Sequence, residues 1–482
     1  MRKELYIVML LMLIITNLFS QQAEKIVIDT QQMLAPVSKN FWGSNFLYWI
    51  EDDTSLADGK LAQLLKENNC PVLRYPGGTV ADNFHWKTAA LDNPFMFPYE
   101  SGEAESDFEE FMAFCRKVGA EPMLVVNTQS WFLDGKVEEG AQYAADWVQY
   151  CKDKGYRVRY WEIGNETYWH HVMTAREYGA LVAKYAKAMR KVNPDIIISA
   201  NGHWDINMVG AKERTDKQFL ATFFESIKTA DQKEKARLMK EGKEMLVEKK
   251  ITRGEEKWWD NVLDECGNHI DMLSVHWYYH ENRLFDIEPK LQELKSFVTK
   301  KMNGKSYKWA LTEYNCNTDN DSQRVSGFAE GIGKFLNFGF EVATHWPMRI
   351  GGMEHRSMFS LKEIKPQYPY QVFKLFSNEL KGNMVKCGSL KDVFAFASVS
   401  DSQISIVLSG TEVDTKKMIT VEIPGVILSS KKIESMKCFA GISGKRTVNL
   451  ISEPVLIDIA DNMLSLPVEP DSFVFISLKD RK

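Results

Sequence analysis

The chain has 482 residues, of which 44% are hydrophobic, and this composition excludes a wholly disordered protein. That length exceeds one ordinary domain, so we expect a large domain joined to a smaller one. The chain has a net charge of −5 and a pI near 6.1. It therefore lacks the excess of basic residues that is typical of proteins that bind nucleic acid or an anionic membrane surface.

Residues 1–20 are typical of a secretory signal peptide. Arg2 and Lys3 supply positive charge, and an apolar run follows from Leu5 to Phe19. This run is short for a membrane-spanning helix. We therefore predict export, with the protein secreted or periplasmic and with no stable membrane insertion after cleavage. An uncleaved N-terminal anchor is the alternative, and the cleavage point is left open.

The seven cysteines show no paired spacing, and no Cys/His cluster has the spacing of a metal site. We therefore expect most of them to be buried free thiols. The sequence predicts neither a metal nor a cofactor.

Apolar runs alternate with helical patterns from residue 41 to about residue 380. Most of these runs are short and lie between turn signals, as parallel strands buried on both faces do. Eight such units predict an α/β fold, a (β/α)8 TIM barrel. The predicted strands are Gly43–Trp49, Val72–Tyr75, Met123–Asn127, Val158–Ile163, Ile196–Asn201, Met272–His276, Trp309–Glu313 and Val342–Trp346.

Two connecting helices are marked by capping signals. Ser106 and Glu109 form a predicted capping box before the first of them, and Gly119 is placed to end it. Thr174 and Glu177 repeat the box before the second helix.

The pattern changes near residue 381. Residues 381–482 contain short β-rich runs separated by Gly, Pro and Ser turns, which predict a C-terminal all-β sandwich. Residues 41–380 then form the barrel, and the isolated strand within residues 21–40 is expected to join the sandwich sheet.

A helical, densely charged insertion is predicted at about residues 205–268. It follows the fifth strand, so it lies over the mouth of the barrel. Tryptophans at its two ends either line the cleft or pack in the core; they are Trp204, Trp258 and Trp259.

Two predicted strands deliver a glutamate to the barrel mouth. The segment Tyr160-Trp-Glu-Ile-Gly-Asn-Glu166 opens from the fourth strand into a loop, and Leu311-Thr-Glu-Tyr-Asn315 ends the seventh strand. Retaining glycoside hydrolysis needs two carboxyl groups about 5 Å apart. We assign Glu166 as the general acid/base and Glu313 as the nucleophile, with Asn165 bonding the sugar hydroxyl next to the anomeric carbon.

Each glutamate has a less specific interpretation, namely an exposed carboxylate in a loop. Glu162 competes with Glu166 because it precedes it by four residues. Its position inside the strand favours a supporting place in the barrel interior, since interior positions of barrel strands point into layered packing.

The two glutamate segments resemble the acid/base and nucleophile motifs of glycoside hydrolase clan A. Leu73-Arg-Tyr-Pro-Gly-Gly78, followed by Phe84-His-Trp-Lys87, is similar to the second-strand signature of the family 51 α-L-arabinofuranosidases. The region Phe111–Asn127 is similar to the third-strand region of that family. The resemblance implies a carbohydrate substrate and a β-sandwich after the barrel.

The resemblance also implies roles for further residues. Arg74 would support the nucleophile by charge and hydrogen bonding, and Trp346 would form the platform under the sugar. Either His276 or Tyr278 would orient the nucleophile, and the sequence does not choose between them. A structural ion pair is the alternative for Arg74, and a satisfied barrel histidine is the alternative for His276.

The chain departs from family 51 at two positions. Asn45 and Tyr48 stand on the first strand, where the family usually has a sugar-binding glutamate, and Thr312 stands where an Asp usually precedes the nucleophile. Neither departure removes the two glutamates.

The sequence therefore predicts an exported retaining glycoside hydrolase, an α-L-arabinofuranosidase acting on side chains of plant polysaccharide. A second clan A activity is the alternative, as a β-glycosidase or an endo-acting glucanase or xylanase. A non-catalytic carbohydrate-binding barrel is a further alternative. No oligomeric state is predicted.

Overall fold

The computed structural model describes most of the chain, and the predicted signal peptide and most of the centre of the predicted insertion lie outside the described residues. The described residues are 24–91, 105–170, 172–211, 253–279, 287–316, 321–352, 354–443, 448–454 and 458–481, with positions 230, 231, 233, 234, 237 and 318.

Eighteen described strands build the barrel and the second domain. In chain order they are β1 (Glu24–Pro36), β2 (Gly43–Asn45), β3 (Val72–Tyr75), β4 (Glu121–Val126), β5 (Tyr160–Ile163), β6 (Ile197–Asn201), β7 (Met272–Tyr279), β8 (Lys308–Cys316), β9 (Val342–His345), β10 (Asn383–Cys387), β11 (Phe394–Val399), β12 (Gln403–Ser409), β13 (Lys417–Glu422), β14 (Lys431–Ser443), β15 (Val448–Pro454), β16 (Asp458–Ala460), β17 (Met463–Val468) and β18 (Ser472–Asp480).

The helices of the described residues follow the barrel strands. They are α1 (Asp53–Ala57), α2 (Lys60–Glu67), α3 (Phe108–Val118), α4 (Gln129–Leu133), α5 (Val137–Asp153), α6 (Thr167–His170), α7 (Ala175–Val192), α8 (Trp258–Cys266), α9 (Ile287–Lys301), α10 (Asp321–Phe338) and α11 (Tyr368–Glu379). Two short antiparallel ribbons pair Phe84–His85 with Ala90–Leu91 and Val209–Ala211 with Arg253–Lys257.

Strands β2 to β9 form a closed barrel in which neighbours along the chain are neighbours in the sheet. All the pairings are parallel, and β9 closes the barrel by pairing with β2. The predicted (β/α)8 barrel is confirmed. It forms because each strand is apolar enough to be buried on both faces, while an amphipathic helix covers its outer side.

The interior of the barrel changes from apolar to polar along the strands. A small apolar cluster fills one level; its members are Val72, Met123, Tyr160, Met272, Ala310 and Val342. Inward positions recur every two residues along a strand. The next level toward the carboxyl ends is accordingly built from polar side chains that are fully buried, namely Arg74, Glu162, Ser274, Thr312 and Thr344. This polar level forms the floor beneath the two predicted catalytic glutamates.

The two predicted capping boxes have different outcomes. Thr174 and Glu177 form a complete box at the start of α7, as predicted. The box at α3 is wrong by one residue, because Asp107 and Glu110 form it. The Ser106 hydroxyl instead donates to the backbone carbonyl of Tyr48, so Ser106 does not cap the helix.

Replacing Thr174 with alanine is expected to destabilise the protein by about 1 kcal/mol, because the N3 amide of α7 loses its acceptor. Urea unfolding measures the change. Thr299→Ala is the matched control, since the exposed Thr299 hydroxyl only bonds a carbonyl of its own helix. Equal losses in the two variants would contradict the capping role.

The second domain is a ten-stranded sheet in the order β15-β14-β18-β12-β11-β10-β1-β13-β17-β16. β1 lies in its middle, antiparallel to β10 and parallel to β13. Side chains from both halves of the sheet share one core, which includes Ile26, Ile406, Val421, Leu466 and Ile476. The two halves therefore pack against each other, and the predicted β-sandwich fold is confirmed.

The six cysteines whose side chains are described are all free, and five of them are buried. This agrees with the expectation from their spacing. Across the described part of the chain, no helix combines the length and apolarity needed to cross a membrane.

Candidate active site

A β-bulge in β8 shapes the site. The pairing of β8 with β7 passes from Val275–Leu311 to His276–Glu313, and thus skips Thr312. A bulge inserts an extra residue on one strand and re-aims the side chains around it. Consecutive residues of a regular strand point to opposite faces, but here Thr312 and Glu313 both make contacts inside the barrel mouth.

The Glu313 carboxylate is held at both oxygens. Arg74 Nη1 lies 3.1 Å from Oε1, and the Tyr278 hydroxyl donates to Oε2 at 2.5 Å. His276 Nδ1 lies farther from Oε2, at 3.5 Å. Of the two residues that the sequence left open, Tyr278 is therefore the one bonded to Glu313. Two donors, one of them charged, stabilise and orient this group as a carboxylate.

Arg74 organises the floor of the site and is fully buried. Its Nε donates to Glu162 at 2.7 Å, and its Nη2 donates to the side-chain oxygen of Asn165 at 2.7 Å. Its Nη1 also donates to the side-chain oxygen of Asn45 at 2.8 Å. Arg74 thus makes a structural ion pair with Glu162 and also supports Glu313, so both interpretations of Arg74 describe contacts that it makes.

The side chain of Asn45 makes hydrogen bonds to other residues of the barrel. Its amide nitrogen lies 2.9–3.2 Å from the backbone oxygens of Thr312, Thr344 and His345. Its oxygen accepts from Arg74. Both ends of the amide are therefore engaged, and Asn45 secures the bulge and the guanidinium. Its side chain is fully buried, and all the contacts given above are to protein atoms.

Burial and charge shift the pKa values of Glu313, His276 and Arg74. Burial raises the pKa of Glu313, and the nearby His276 and Arg74 limit that rise. Burial opposes the imidazolium of His276, but the Glu313 and Glu166 carboxylates raise its pKa above the ordinary value overall. Burial likewise opposes the charge of Arg74, while Glu162 and Glu313 raise its pKa.

Glu166 is presented by a strained loop after β5. Gly164 has a φ of +73°, and a Cβ there would lie 2.9–3.0 Å from three polar oxygens. Glu166 itself has a φ of +43°, a left-handed conformation that is uncommon for a residue with a side chain. Its side chain is 23% exposed, and one oxygen lies 2.8 Å from His276 Nδ1. The loop thus delivers a carboxyl group that is accessible to substrate.

Oxygens of Glu166 and Glu313 lie within 4.8 Å of each other, with a His276 ring nitrogen within the same distance of both. Among the described residues, these three side chains are close enough together to hold a metal ion. They do not fit one, because each ligand atom already faces a hydrogen-bond partner and the Arg74 guanidinium contacts Glu313. Carboxyl oxygens this close fall below the roughly 6.5–9.5 Å separation of inverting glycoside hydrolases and are consistent with the shorter separation of retaining ones.

Asn165 has a side-chain donor without a partner among the described residues. Its side-chain oxygen accepts from Arg74, while its amide nitrogen is buried and has no partner within the described residues. A buried donor without a partner is costly unless a ligand satisfies it. The Asn165 backbone amide bonds the Asp82 carboxylate, which also accepts from Thr128 and Gln129.

Trp346 follows β9 and is half-buried. A Cβ added at Gly78 would lie 2.7 Å from its ring, so glycine is needed for this close approach. Of the tryptophans flanking the insertion, Trp258 and Trp259 are buried in the core. Trp204 is partly exposed and packs edge-on against Trp277, with ring centroids 4.5 Å apart.

Three further residues complete the site, and the sequence did not assign them. Ser274 and Thr312 both donate to Glu162, and Asp82 holds the loop before Glu166. Only Thr312 had a signal in the sequence, as a departure from the family 51 pattern. Ser274 and Asp82 were given no role, since their contacts are with residues distant along the chain.

Replacing Arg74 with methionine is expected to destabilise the barrel by about 3–5 kcal/mol, because Glu162 becomes an unpaired buried charge. Urea unfolding measures the loss. Arg159→Met is the matched control, since Arg159 pairs with Glu121 in a partly exposed position, and such pairs contribute about 1 kcal/mol or less. A similar loss in both variants would contradict the structural importance of the buried pair.

Comparisons with known protein sequences agree with this geometry. The family model of the alpha-L-arabinofuranosidase 1 domain matches residues 64–237. A probable alpha-L-arabinofuranosidase C of Aspergillus niger is 27% identical over 39% of the chain and 45% of its own length. An intracellular exo-alpha-(1->5)-L-arabinofuranosidase of Acetivibrio thermocellus is 23% identical over 57% of the chain and 52% of its own length. The chain therefore spans about half the length of these curated relatives.

Solved structures share the fold over nearly the whole chain. The alpha-L-arabinofuranosidase of Thermotoga maritima in complex with arabinose has a TM-score of 0.66 at 18% identity, covering 94% of this chain and 99% of its own. The GH51 arabinofuranosidase of Xanthomonas axonopodis pv. citri has a TM-score of 0.68 at 14% identity, covering 95% and 100%. The bifunctional glucanase-xylanase CelM2 from a metagenome library has a TM-score of 0.63 at 16% identity, covering 95% and 99%.

At identities of 14–18%, the solved structures show a shared fold. The family model and the curated relatives show similarity of sequence. Together they confirm the resemblance of this chain to glycoside hydrolase clan A, and within that clan to family 51.

Proposed function

We propose that this protein is a retaining glycoside hydrolase that releases α-L-arabinofuranosyl side chains from plant polysaccharide. The observation that carries the proposal is the separation of the Glu166 and Glu313 oxygens, within 4.8 Å. Inverting enzymes keep their two carboxyl groups roughly 6.5–9.5 Å apart so that a water molecule fits between them. The Glu166 and Glu313 oxygens lie closer than that, which suits direct attack by one carboxylate on the sugar.

Glu313 serves as the nucleophile in this proposal. It attacks the anomeric carbon while the glycosidic bond breaks, forming a covalent glycosyl ester. Arg74 and Tyr278 support this role because they hold both carboxylate oxygens and keep one face of the group directed into the mouth. Their hydrogen bonds also aim the carboxylate before substrate arrives, which lowers the cost of reaching the transition state.

Glu166 serves as the general acid and then as the general base. It donates its proton to the leaving oxygen in the first step. In the second step it removes a proton from a water molecule, which attacks the anomeric carbon and frees Glu313. Its partial exposure supports this role because the leaving group and the water must both reach it.

Asn165 and Trp346 bind the sugar in this proposal. The amide nitrogen of Asn165 has no partner among the described residues, which supports a hydrogen bond from it to the hydroxyl next to the anomeric carbon. Trp346 is half-buried at the end of β9, and its ring offers an apolar platform for one face of the sugar. The matching arabinofuranosidase family model supports arabinofuranose as the substrate.

A panel of nitrophenyl glycosides and soluble polymers tests the proposal. An arabinosyl-releasing enzyme hydrolyses nitrophenyl α-L-arabinofuranoside, and NMR shows that the first product keeps the anomeric configuration of the substrate. Shortening of glucan or xylan chains without arabinose release would favour the endo-acting alternative. Retention on polysaccharide gels with no sugar released from any substrate would favour the binding protein.

Export is also part of the proposal, and the charged and apolar pattern of residues 1–20 supports it. Expression of the whole chain in a bacterial host with fractionation tests it. Active protein in the periplasm or medium with a new N-terminus near residue 21 is expected. Protein that stays in the cytoplasm with residues 1–20 intact would contradict export.

A further inference from the structure

We propose that Thr312 is a positioning residue that fixes which ring nitrogen of His276 carries a proton, so that Glu166 and His276 together hold one shared proton. This inference rests on the proposed role of Glu166 as the general acid. It concerns a residue that contacts neither the reacting sugar nor Glu166 itself.

The β8 bulge brings the Thr312 hydroxyl between two buried groups. The hydroxyl donates to Glu162 Oε1 at 2.9 Å, and His276 Nε2 lies 3.0 Å from the same hydroxyl oxygen. Thr312 and Glu162 are fully buried, and His276 is almost so. Water molecules therefore have little access to these side chains and do not readily replace one of them as a hydrogen-bond partner.

The hydrogen bonds of the Thr312 hydroxyl determine which ring nitrogen of His276 is protonated. A threonine hydroxyl has one proton. Glu162 is a carboxylate held by Arg74, and a charged acceptor attracts the hydroxyl proton more strongly than a neutral ring nitrogen does. The hydroxyl thus turns a lone pair toward His276. Nε2 must then carry a proton, because two facing lone pairs 3.0 Å apart would repel.

The other ring nitrogen faces the general acid. His276 Nδ1 lies 2.8 Å from Glu166 Oε1, and one proton occupies this contact. With Nε2 already protonated, the pair is either a neutral imidazole with a carboxylic acid or an imidazolium with a carboxylate. The first of these forms has its proton on Glu166 and is ready to protonate the leaving oxygen.

Loss of the shared proton is unfavourable while the Thr312 contact holds. The neutral ring would then present a bare Nδ1 to the Glu166 carboxylate at 2.8 Å. This repulsion keeps the proton on the pair to higher pH. After the proton passes to the leaving oxygen, the same repulsion makes Glu166 a stronger base toward the water that completes the reaction.

Other charged and titratable groups also face the pair, and a Thr312 variant retains all of them. They are the Glu313 carboxylate, the Arg74 guanidinium, the Tyr278 and Tyr168 hydroxyls and, beyond Thr312, the Glu162 carboxylate.

Thr312→Val tests the inference because it keeps the shape and removes the hydroxyl. In this variant neutral His276 is free to carry its proton on Nδ1 and donate it to the Glu166 carboxylate. The deprotonated pair is stabilised, so the basic limb of the kcat/KM profile against pH moves lower by about one pH unit. Thr312→Ser restores a hydroxyl and is expected to return the limb to its wild-type position.

NMR spectroscopy of the wild-type protein identifies the protonated ring nitrogen of His276 without any measurement of enzyme activity. Histidine labelled with ¹⁵N reports which ring nitrogen is protonated, and the His276 signal is assigned by its loss in His276→Gln. A neutral His276 protonated at Nε2 supports the inference, and one protonated at Nδ1 overturns it. An unmoved basic limb in Thr312→Val also overturns it.

The two proposals fail in different ways. Wild-type protein that hydrolyses no glycoside of the panel contradicts the proposed function, while the ¹⁵N spectrum still decides the state of His276. Wild-type protein that is active but has neutral His276 protonated at Nδ1 contradicts only the role of Thr312.

Discussion

Replacing Glu313 with glycine is expected to lower kcat by about 10⁴-fold or more, because no other group can form the covalent ester. The substitution also leaves a cavity where the carboxylate was. Azide added at high concentration enters that cavity and attacks the anomeric carbon in place of Glu313. Turnover of an activated aryl glycoside then returns, and the product is a glycosyl azide with the inverted anomeric configuration.

Glu313→Gln is the matched control for this experiment. It removes the charge but fills the space, so activity is lost and azide has no room to restore it. Rescue of the glycine variant alone identifies Glu313 as the nucleophile. Failure of azide and of every other small anion to restore the glycine variant would count against this assignment.

Replacing Glu166 with alanine is expected to separate substrates by the quality of their leaving groups. Poor leaving groups need a proton, so their kcat/KM falls by about 10²–10⁴-fold. Dinitrophenolate leaves without one, so kcat/KM for a dinitrophenyl glycoside falls far less. Its kcat still drops, since the covalent ester waits for a base to activate water.

Azide distinguishes this variant from the Glu313 variant by stereochemistry. Azide needs no base, so it reacts with the accumulated ester of the Glu166 variant and yields a glycosyl azide of retained configuration. Glu138→Ala, a change at an exposed glutamate of α5, is the control and should leave both constants unchanged. Equal losses for good and poor leaving groups would weaken the assignment of Glu166 as the acid.

The two experiments together measure the geometry on which the proposed function depends. Opposite configurations of the azide products require Glu166 and Glu313 to act from opposite faces of one sugar. Their oxygens lie within 4.8 Å of each other, so both groups can reach one anomeric centre. Arg74 connects both groups, since it donates to Glu313 and to Asn165 beside Glu166.

Local sequence was sufficient to predict most elements of the barrel. A strand buried on both faces is a short apolar run whatever its partners are, so the eight runs predicted eight strands. The capping box of α7 is also a local feature, because four consecutive residues make it. The box of α3 was placed one residue early because Ser and Asp are both good caps, and a distant carbonyl of Tyr48 decided between them.

Four strands of the second domain were not predicted, namely β10, β14, β15 and β17. β14 and β15 contain charged and polar residues in place of a clear alternation, as in Lys431-Lys-Ile-Glu-Ser-Met-Lys437. They form because β14 pairs along its length with β18, whose own sequence is strongly apolar. Strand formation at a sheet edge depends on the neighbouring strand as much as on the local sequence.

The amino-acid sequence by itself determined the barrel, the sandwich and the two glutamates at the ends of strands, since all of these follow from local composition and motif. Only the tertiary structure decided that Thr312 and Glu313 both face the barrel mouth, that Tyr278 holds Glu313 while His276 holds Glu166, and that Asn45 supports Arg74. The physical reason is that a bulge and a buried ion pair depend on register between strands, and Arg74 and Glu313 are 239 positions apart. No local pattern specifies a contact over that separation until the barrel closes.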